Sequence, residues 1–211
     1  MKAILISIKP KYVADILNGK KTIEIRKTIP QEYLDYCIDS DKKVPIDVYI
    51  YCTKDNKVFL RDFRDKKKWG AYWKFVAMEN DPSNIGELPP ILNGKVVAKF
   101  TLNKVEKIAK VWHISSLTNE KVISCYRGLE RNGLTNRQLE EKSCLTHKEL
   151  KDYIGWNNAY AWHIDNLEIF DTPKELFSFE HEKVVEDYFR GTARKLVLLT
   201  KAPQSWCYIE V

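Results

Sequence analysis

The stretch Gly19-Lys20-Lys21-Thr22-Ile23-Glu24-Ile25-Arg26 decides how this chain is read. Asn18-Gly19 stops any helix that precedes it, and the residues that follow alternate between apolar and polar. With a period of two, Ile23 and Ile25 point to a core, while Thr22, Glu24 and Arg26 share the opposite face of a strand. Ionised side chains on a buried strand are costly unless they are paired or face a wet cleft. Two arrangements meet that condition. Glu24 and Arg26 form an ion pair on a solvated face, or Lys21 and Arg26 line a polar cleft for an anionic or carbonyl-bearing ligand. In the second arrangement Glu24 accepts from the amino group of a base.

Working outward, Ala3-Ile4-Leu5-Ile6-Ser7-Ile8 is a nearly continuous apolar run, the pattern of a central strand. Pro10 suits the first turn of a helix, on which Tyr12, Val13, Ile16 and Leu17 fall on one face. The chain therefore opens as strand, helix, strand. Further strands are expected over 46–52, with Val48 and Ile50 inward, over 96–105 after the Asn93-Gly94 turn, over 159–170 with a break at Asp165-Asn166, and over 206–211. Residues 54–92 read as an insertion with one amphipathic helix, carrying Trp69, Tyr72 and Trp73, and a long loop. Residues 115–155 read as a helical insertion, with a capping box at Thr146 and Glu149; a short helix is expected to start at Thr172-Pro173. About six strands without regular β-α alternation predict an α+β, mainly β fold. The expected form is a mixed barrel with helices inserted and flanking, a single domain over 1–211.

The 211 residues include 35 basic and 29 acidic side chains, a net charge of +6, and 44% are hydrophobic, enough for a real core. The modest excess permits a polyanionic partner without demanding one. Its placement says more: Lys2, Lys9, Lys11, Lys20, Lys21, Arg26 and Lys27 crowd the start against Asp15 and Glu24. Cys37, Cys52, Cys125, Cys144 and Cys207 form no C-x-x-C pair, which speaks against a zinc site or a disulfide framework and for free thiols in a reducing cytoplasm. The four histidines show no metal-ligand spacing and no Gly-rich phosphate loop is present, so neither a metal nor a cofactor is expected. No signal-peptide pattern or membrane-length apolar run is seen, and a cytoplasmic monomer is expected.

The run Ile6-Ser7-Ile8-Lys9-Pro10 followed by Ile16-Leu17-Asn18-Gly19-Lys20-Lys21-Thr22-Ile23-Glu24-Ile25-Arg26 resembles the signature of the ASCH family, whose core reads G-x-K-x-x-E-x-R. The later runs at 160–164, 173–176 and 203–208 look like a phage- and Firmicute-associated branch of that family. The resemblance implies a PUA-like β-barrel with a cleft lined by the signature, in a module that binds RNA or a nucleotide-like ligand. Some small members are amidohydrolases that deacetylate N4-acetylcytidine with a lysine, a threonine three residues later and a distant glutamate. Lys21 matches the lysine, but Glu24 stands where the threonine belongs. If the chain is an enzyme, Lys21 and Glu24 are its catalytic candidates.

The ligand-binding candidates are then Ser7, Lys9, Lys21, Thr22, Glu24, Arg26, His163, Trp206 and Tyr208. Trp162 and His163 point to opposite faces of one strand, so only one of them faces a cleft; Trp162 reads as core and His163 as either a cleft residue or a satisfied structural histidine. Trp206 and Tyr208 share a face and either stack a base or pack in the core. Trp69, Tyr72 and Trp73 beside Lys66, Lys67 and Lys68 read as a helix whose aromatic face covers the barrel or as an aromatic-basic nucleic-acid patch, and a protein-interaction module that uses this insertion is a further alternative.

Overall fold

A computed structural model of the chain describes residues 1–33, 45–70, 74–79, 88–114, 121–129, 133–187 and 191–211. In chain order the strands are β1 (Lys2–Ile8), β2 (Ile23–Arg26), β3 (Ile46–Cys52), β4 (Val58–Asp62), β5 (Phe75–Glu79), β6 (Val96–Leu102) and β7 (Val105–Ile114). They continue with β8 (Lys121–Gly128), β9 (Tyr160–His163), β10 (Asp165–Lys174), β11 (Glu180–Asp187), β12 (Gly191–Leu198) and β13 (Trp206–Glu210). The helices are α1 (Pro10–Leu17), α2 (Lys66–Trp69), α3 (Asn136–Ser143) and α4 (His147–Ile154). The fold is α+β and mainly β. Its strands form open sheets of seven, four and two strands, and the thirteen strands among the described residues exceed the six or so expected.

The chain divides into two compact units, the first made of 1–19, 46–101 and 166–211, the second of 20–45 and 102–165. The first unit holds the seven-stranded sheet, in the order β10-β6-β3-β1-β13-β11-β12. β1 is central because nearly every side chain in it is apolar: Ala3, Ile4, Leu5 and Ile6 are fully buried. It pairs in parallel with β3, Ile4 opposite Val48 and Ile6 opposite Ile50, and antiparallel with β13, Ile4 opposite Tyr208. Each buried Ile or Leu contributes roughly 1.5–3 kcal/mol. Pro10 starts α1, which buries Val13, Ala14, Ile16 and Leu17. Gly19 takes the left-handed φ of +75° that ends the helix, and the Asn18 side chain donates to Phe75 O at 2.7 Å and accepts from Phe75 N at 3.3 Å.

Residues 54–92 were expected as a helix and a loop, but Val58-Phe59-Leu60-Arg61-Asp62 pairs antiparallel with Phe75–Glu79 as a hairpin, and the helix is one turn, Lys66–Trp69. Asp65 starts that turn by accepting from Lys67 N and Lys68 N; Tyr72 and Trp73 lie outside the described residues. Thr172 and Pro173 continue β10, and the expected helix is a 3-10 turn over Leu176–Ser178. The helical reading of 115–155 holds for α3 and α4, whereas Lys121–Gly128 is strand.

The second unit is built on the sheet β2-β9-β7-β8. Ile23 and Ile25 of β2, Ala161 of β9, Ile108 of β7 and Tyr126 of β8 share a core with Leu139 of α3 and Leu150 and Ile154 of α4. One face of this sheet therefore carries the two helices. Both helices begin at reciprocal capping boxes, Thr146 with Glu149 as expected and Thr135 with Gln138 in addition.

Candidate functional site

Antiparallel pairing of β2 with β9 sets Glu24 opposite Trp162 and Arg26 opposite Tyr160; Ile23 and Ile25 face His163 and Ala161 on the other side. The alternation read from the sequence is thus realised, and it collects the charges. Lys21 Nζ lies 3.2 Å from Glu24 Oε2, and Arg26 Nη2 lies 3.2 Å from Glu24 Oε1. The side chains of Lys21, Glu24 and Arg26 are 1%, 11% and 8% exposed. Two cations converge on one carboxylate, so the ion pairing of the first arrangement is present, but in a buried setting.

The helices complete this cluster. Lys21 Nζ also donates to Ser143 O, 2.6 Å away, at the last residue of α3, where a cation suits the negative end of the helix. Arg26 hydrogen-bonds the Tyr153 phenol of α4; burial pushes that phenol above its ordinary range, Arg26 draws it back, and Glu24 adds to the rise. The Lys27 ammonium stands 5.1 Å from the centre of the Tyr153 ring. Thr22 is exposed, and its backbone is fixed by Thr22 N to Lys142 O and Ile164 N to Thr22 O.

The same register continues across the sheet. Tyr160 lies between Arg26 on β2 and Lys107 on β7, and Ala109, two residues on from Lys107, is opposite Arg127 on β8. One face therefore carries a cation, an aromatic and a cation in a row, spanning two strand spacings or about 10 Å. Lys107 and Arg127 are exposed and Tyr160 is half-buried.

On the opposite face His163 joins a different cluster. Its Nε2 lies 2.9 Å from Oε1 of Glu106, a β7 residue that is 1% exposed. Glu106 also accepts from Leu134 N at 3.0 Å and pairs with Lys104 at 2.8 Å. Burial alone would raise the Glu106 carboxyl, but Lys104, the Leu134 amide and His163 together hold it below its usual range. Burial lowers the His163 imidazole against the pull of Glu106. Gly128 belongs to this seat: a Cβ there would lie 2.6 Å from both Glu106 Oε2 and Leu134 N.

The structure thus brings Lys21, Glu24 and Arg26 together and sets His163 on the other side of the sheet. The remaining candidates belong to the first unit. Ser7 Oγ donates to Pro203 O at 2.6 Å, and Lys9 is exposed. Trp206 and Tyr208 meet edge to face at 5.5 Å, with the Lys2 ammonium 3.7 Å from the Tyr208 ring centre. Sequence reading missed Glu106, Lys107, Arg127, Tyr153 and the position of Tyr160 in the row; only the phase of Tyr160 with Trp162 was visible. Among the described residues, no group of three His, Cys, Asp or Glu side chains could hold a metal ion, and no helix is long and apolar enough to cross a membrane.

The sequence matches no protein-family model and no curated protein. Among solved structures, the chain is similar to the crystal structure of ASCH from Zymomonas mobilis, at 15% identity over 99% of this chain and 87% of that one, with a TM-score of 0.46. Two mutant forms of that Zymomonas mobilis protein are similar at 15% identity as well. One covers 100% of this chain and 91% of its own at a TM-score of 0.46. The other covers 99% and 88% at 0.47.

Proposed function

We propose that the chain is an RNA- or nucleotide-binding module of the ASCH type, with its ligand face built on the segment Lys21–Arg26 and extended across the four-stranded sheet. The motif residues Gly19, Lys21, Glu24 and Arg26 support the family. The observation that carries the binding reading is the exposed pair Lys107 and Arg127 on the sheet face that carries Tyr160, beside the buried Arg26–Glu24 pair. Cations on a sheet face engage phosphates, and an aromatic beside them offers a ring on which a base stacks whatever its sequence. The test is the affinity of a short single-stranded RNA pool at two salt concentrations. Lys107→Ala and Arg127→Ala each weaken binding evenly across sequences and flatten the salt slope by about 0.7, the value of one phosphate contact on a single strand. Binding that ignores salt, or ignores both substitutions, overturns the reading.

The contact of Lys21 with Glu24 at 3.2 Å favours a second reading, hydrolysis of an acylated nucleoside, with Glu24 as general base for water. Turnover of N4-acetylcytidine that is lost in Lys21→Ala, with fold retained, would favour this enzyme over the binder.

A further inference from the structure

The hairpin of β11 and β12 is fastened to the seven-stranded sheet at one end only. Its strands pair over eight positions, from Glu180 opposite Leu198 to Asp187 opposite Gly191. Its register to the neighbouring β13 is a single pair, Glu180 with Glu210. Beyond that pair it is a two-stranded ribbon, and such ribbons are marginal in water without a third strand. One face of it is apolar and open: Val184, Leu196 and Leu198 are 63%, 52% and 55% exposed.

β12 also ends the sheet. Edge strands usually carry devices against further pairing. β10, at the opposite edge, has Pro173 and a left-handed Asn166 with φ of +48°. β12 has no proline and no acidic residue, and its charges are Arg194 and Lys195. The hydrogen-bond phase shows which backbone groups are on offer. Leu199 N donates to Phe179 O at 2.8 Å, so the odd-numbered residues of β12 turn their backbone to β11. Thr192, Arg194, Leu196 and Leu198 turn theirs to the open edge.

A two-fold axis normal to the sheet lays β12 antiparallel to the same strand of a second copy. The charges then choose the register, because like charges directly opposite are destabilising. An axis at Arg194 or Lys195 sets that cation against its own copy. An axis at Leu196 does not: Leu196 meets Leu196 of the other copy, Arg194 meets Leu198, and Lys195 meets Val197. Leu196 is also one of the residues whose N–H and C=O face outward, so the two copies exchange hydrogen bonds at the axis. Val184, Leu196 and Leu198 of both copies then share one face, with Glu180, Glu182 and Arg194 around them.

We infer that the chain forms a two-fold dimer through β12, centred on Leu196, in place of the expected monomer. The second copy supplies the third and fourth strands that the ribbon lacks. The inference stands apart from the nucleic-acid reading above.

Sedimentation of the purified chain over a hundredfold range of concentration tests it. Wild type is a dimer at the upper end. Leu196→Asp, at an exposed site, weakens the association roughly 30-fold or more, the effect of one central interface residue, with its far-ultraviolet circular dichroism retained. Leu196→Cys reads the register. Residues opposite each other in such a hydrogen-bonded pair have Cα atoms about 5.5 Å apart, within reach of a disulfide. Mild oxidation therefore links two copies of Leu196→Cys above the wild-type level, and does not link Lys201→Cys. This arm decides the matter even if Leu196→Asp fails to fold. A wild-type monomer at every concentration would leave the edge to a different protein and overturn the inference. A dimer that Leu196→Asp leaves whole, or that Leu196→Cys does not link, would place the interface elsewhere and overturn it as well.

Discussion

The Lys21 ammonium and the Glu24 carboxylate meet at 3.2 Å, with 1% and 11% of their side chains exposed. Both charges are out of water, so each depends on the other, and Glu24 answers to Arg26 as well.

Removing Glu24 should therefore be severe. Glu24→Ala leaves the buried Lys21 and Arg26 charges facing each other without their common carboxylate, and is expected to cost about 3–5 kcal/mol of stability. Urea unfolding followed by tryptophan fluorescence measures it. A loss below 1 kcal/mol would mean that the cluster is open to water in solution.

Gly128→Ala tests the seat of Glu106 from the other side. The added methyl would sit 2.6 Å from Glu106 Oε2 and from Leu134 N, so the carboxylate or the turn must move. Overpacking of this kind is expected to cost about 1–3 kcal/mol in the same unfolding experiment. An unchanged midpoint would show that the Leu134 turn yields freely.

Stability should fall on acidification, and the sign follows from two groups. Burial holds His163 below its ordinary value of 6.5, so His163 contributes stability above pH 6.5 that is lost as pH falls through its folded value. Glu106 is held below its ordinary value of 4.5, so its contribution is present above pH 4.5 and is lost at still lower pH. Thermal melts from pH 8 to pH 3 should show a decline in two stages, and His163→Gln should remove the upper one. A decline that persists unchanged below pH 6.5 in that variant would assign it to another group.

Burial pushes the Cys52 thiol up to about 12 and the Cys207 thiol up to about 11. The thiolate is the reactive form, and at pH 8 almost none is present at either site. Iodoacetamide followed by peptide mapping should leave Cys52 and Cys207 unlabelled in the native protein and label both after unfolding. Rapid native labelling of either would show that its strand opens readily.

The opening strand, helix and strand were legible because each carries a strong local signal: an unbroken apolar run, Pro10 at a helix start, and a glycine followed by strict alternation. β13 was legible for a similar reason. The hairpin of β11 and β12 was not. Glu180-His181-Glu182-Lys183-Val184-Val185-Glu186-Asp187 shows no apolar alternation; Glu180, Glu182, Lys183 and Val184 are exposed, and the strand is held by pairing with its neighbour. The hairpin of β4 and β5 was hidden by the lysine run between its strands. At the site, alternation alone was enough to unite Glu24 with Arg26. The Glu106 cluster was out of reach, because it depends on β7 pairing with β9, which sets Glu106 against a histidine 57 positions away.

The Lys21 contact with Ser143 O has a consequence for how this protein can diversify. The same ammonium that belongs to the Lys21–Arg26 segment also fastens the end of α3, so on the proposed reading a substitution there alters the ligand face and the fold in one step. Lys107 and Arg127 are exposed and carry no such double duty. On the proposed reading, drift in ligand preference is therefore expected to accumulate at the outer cations, while the buried cluster stays constrained by the fold.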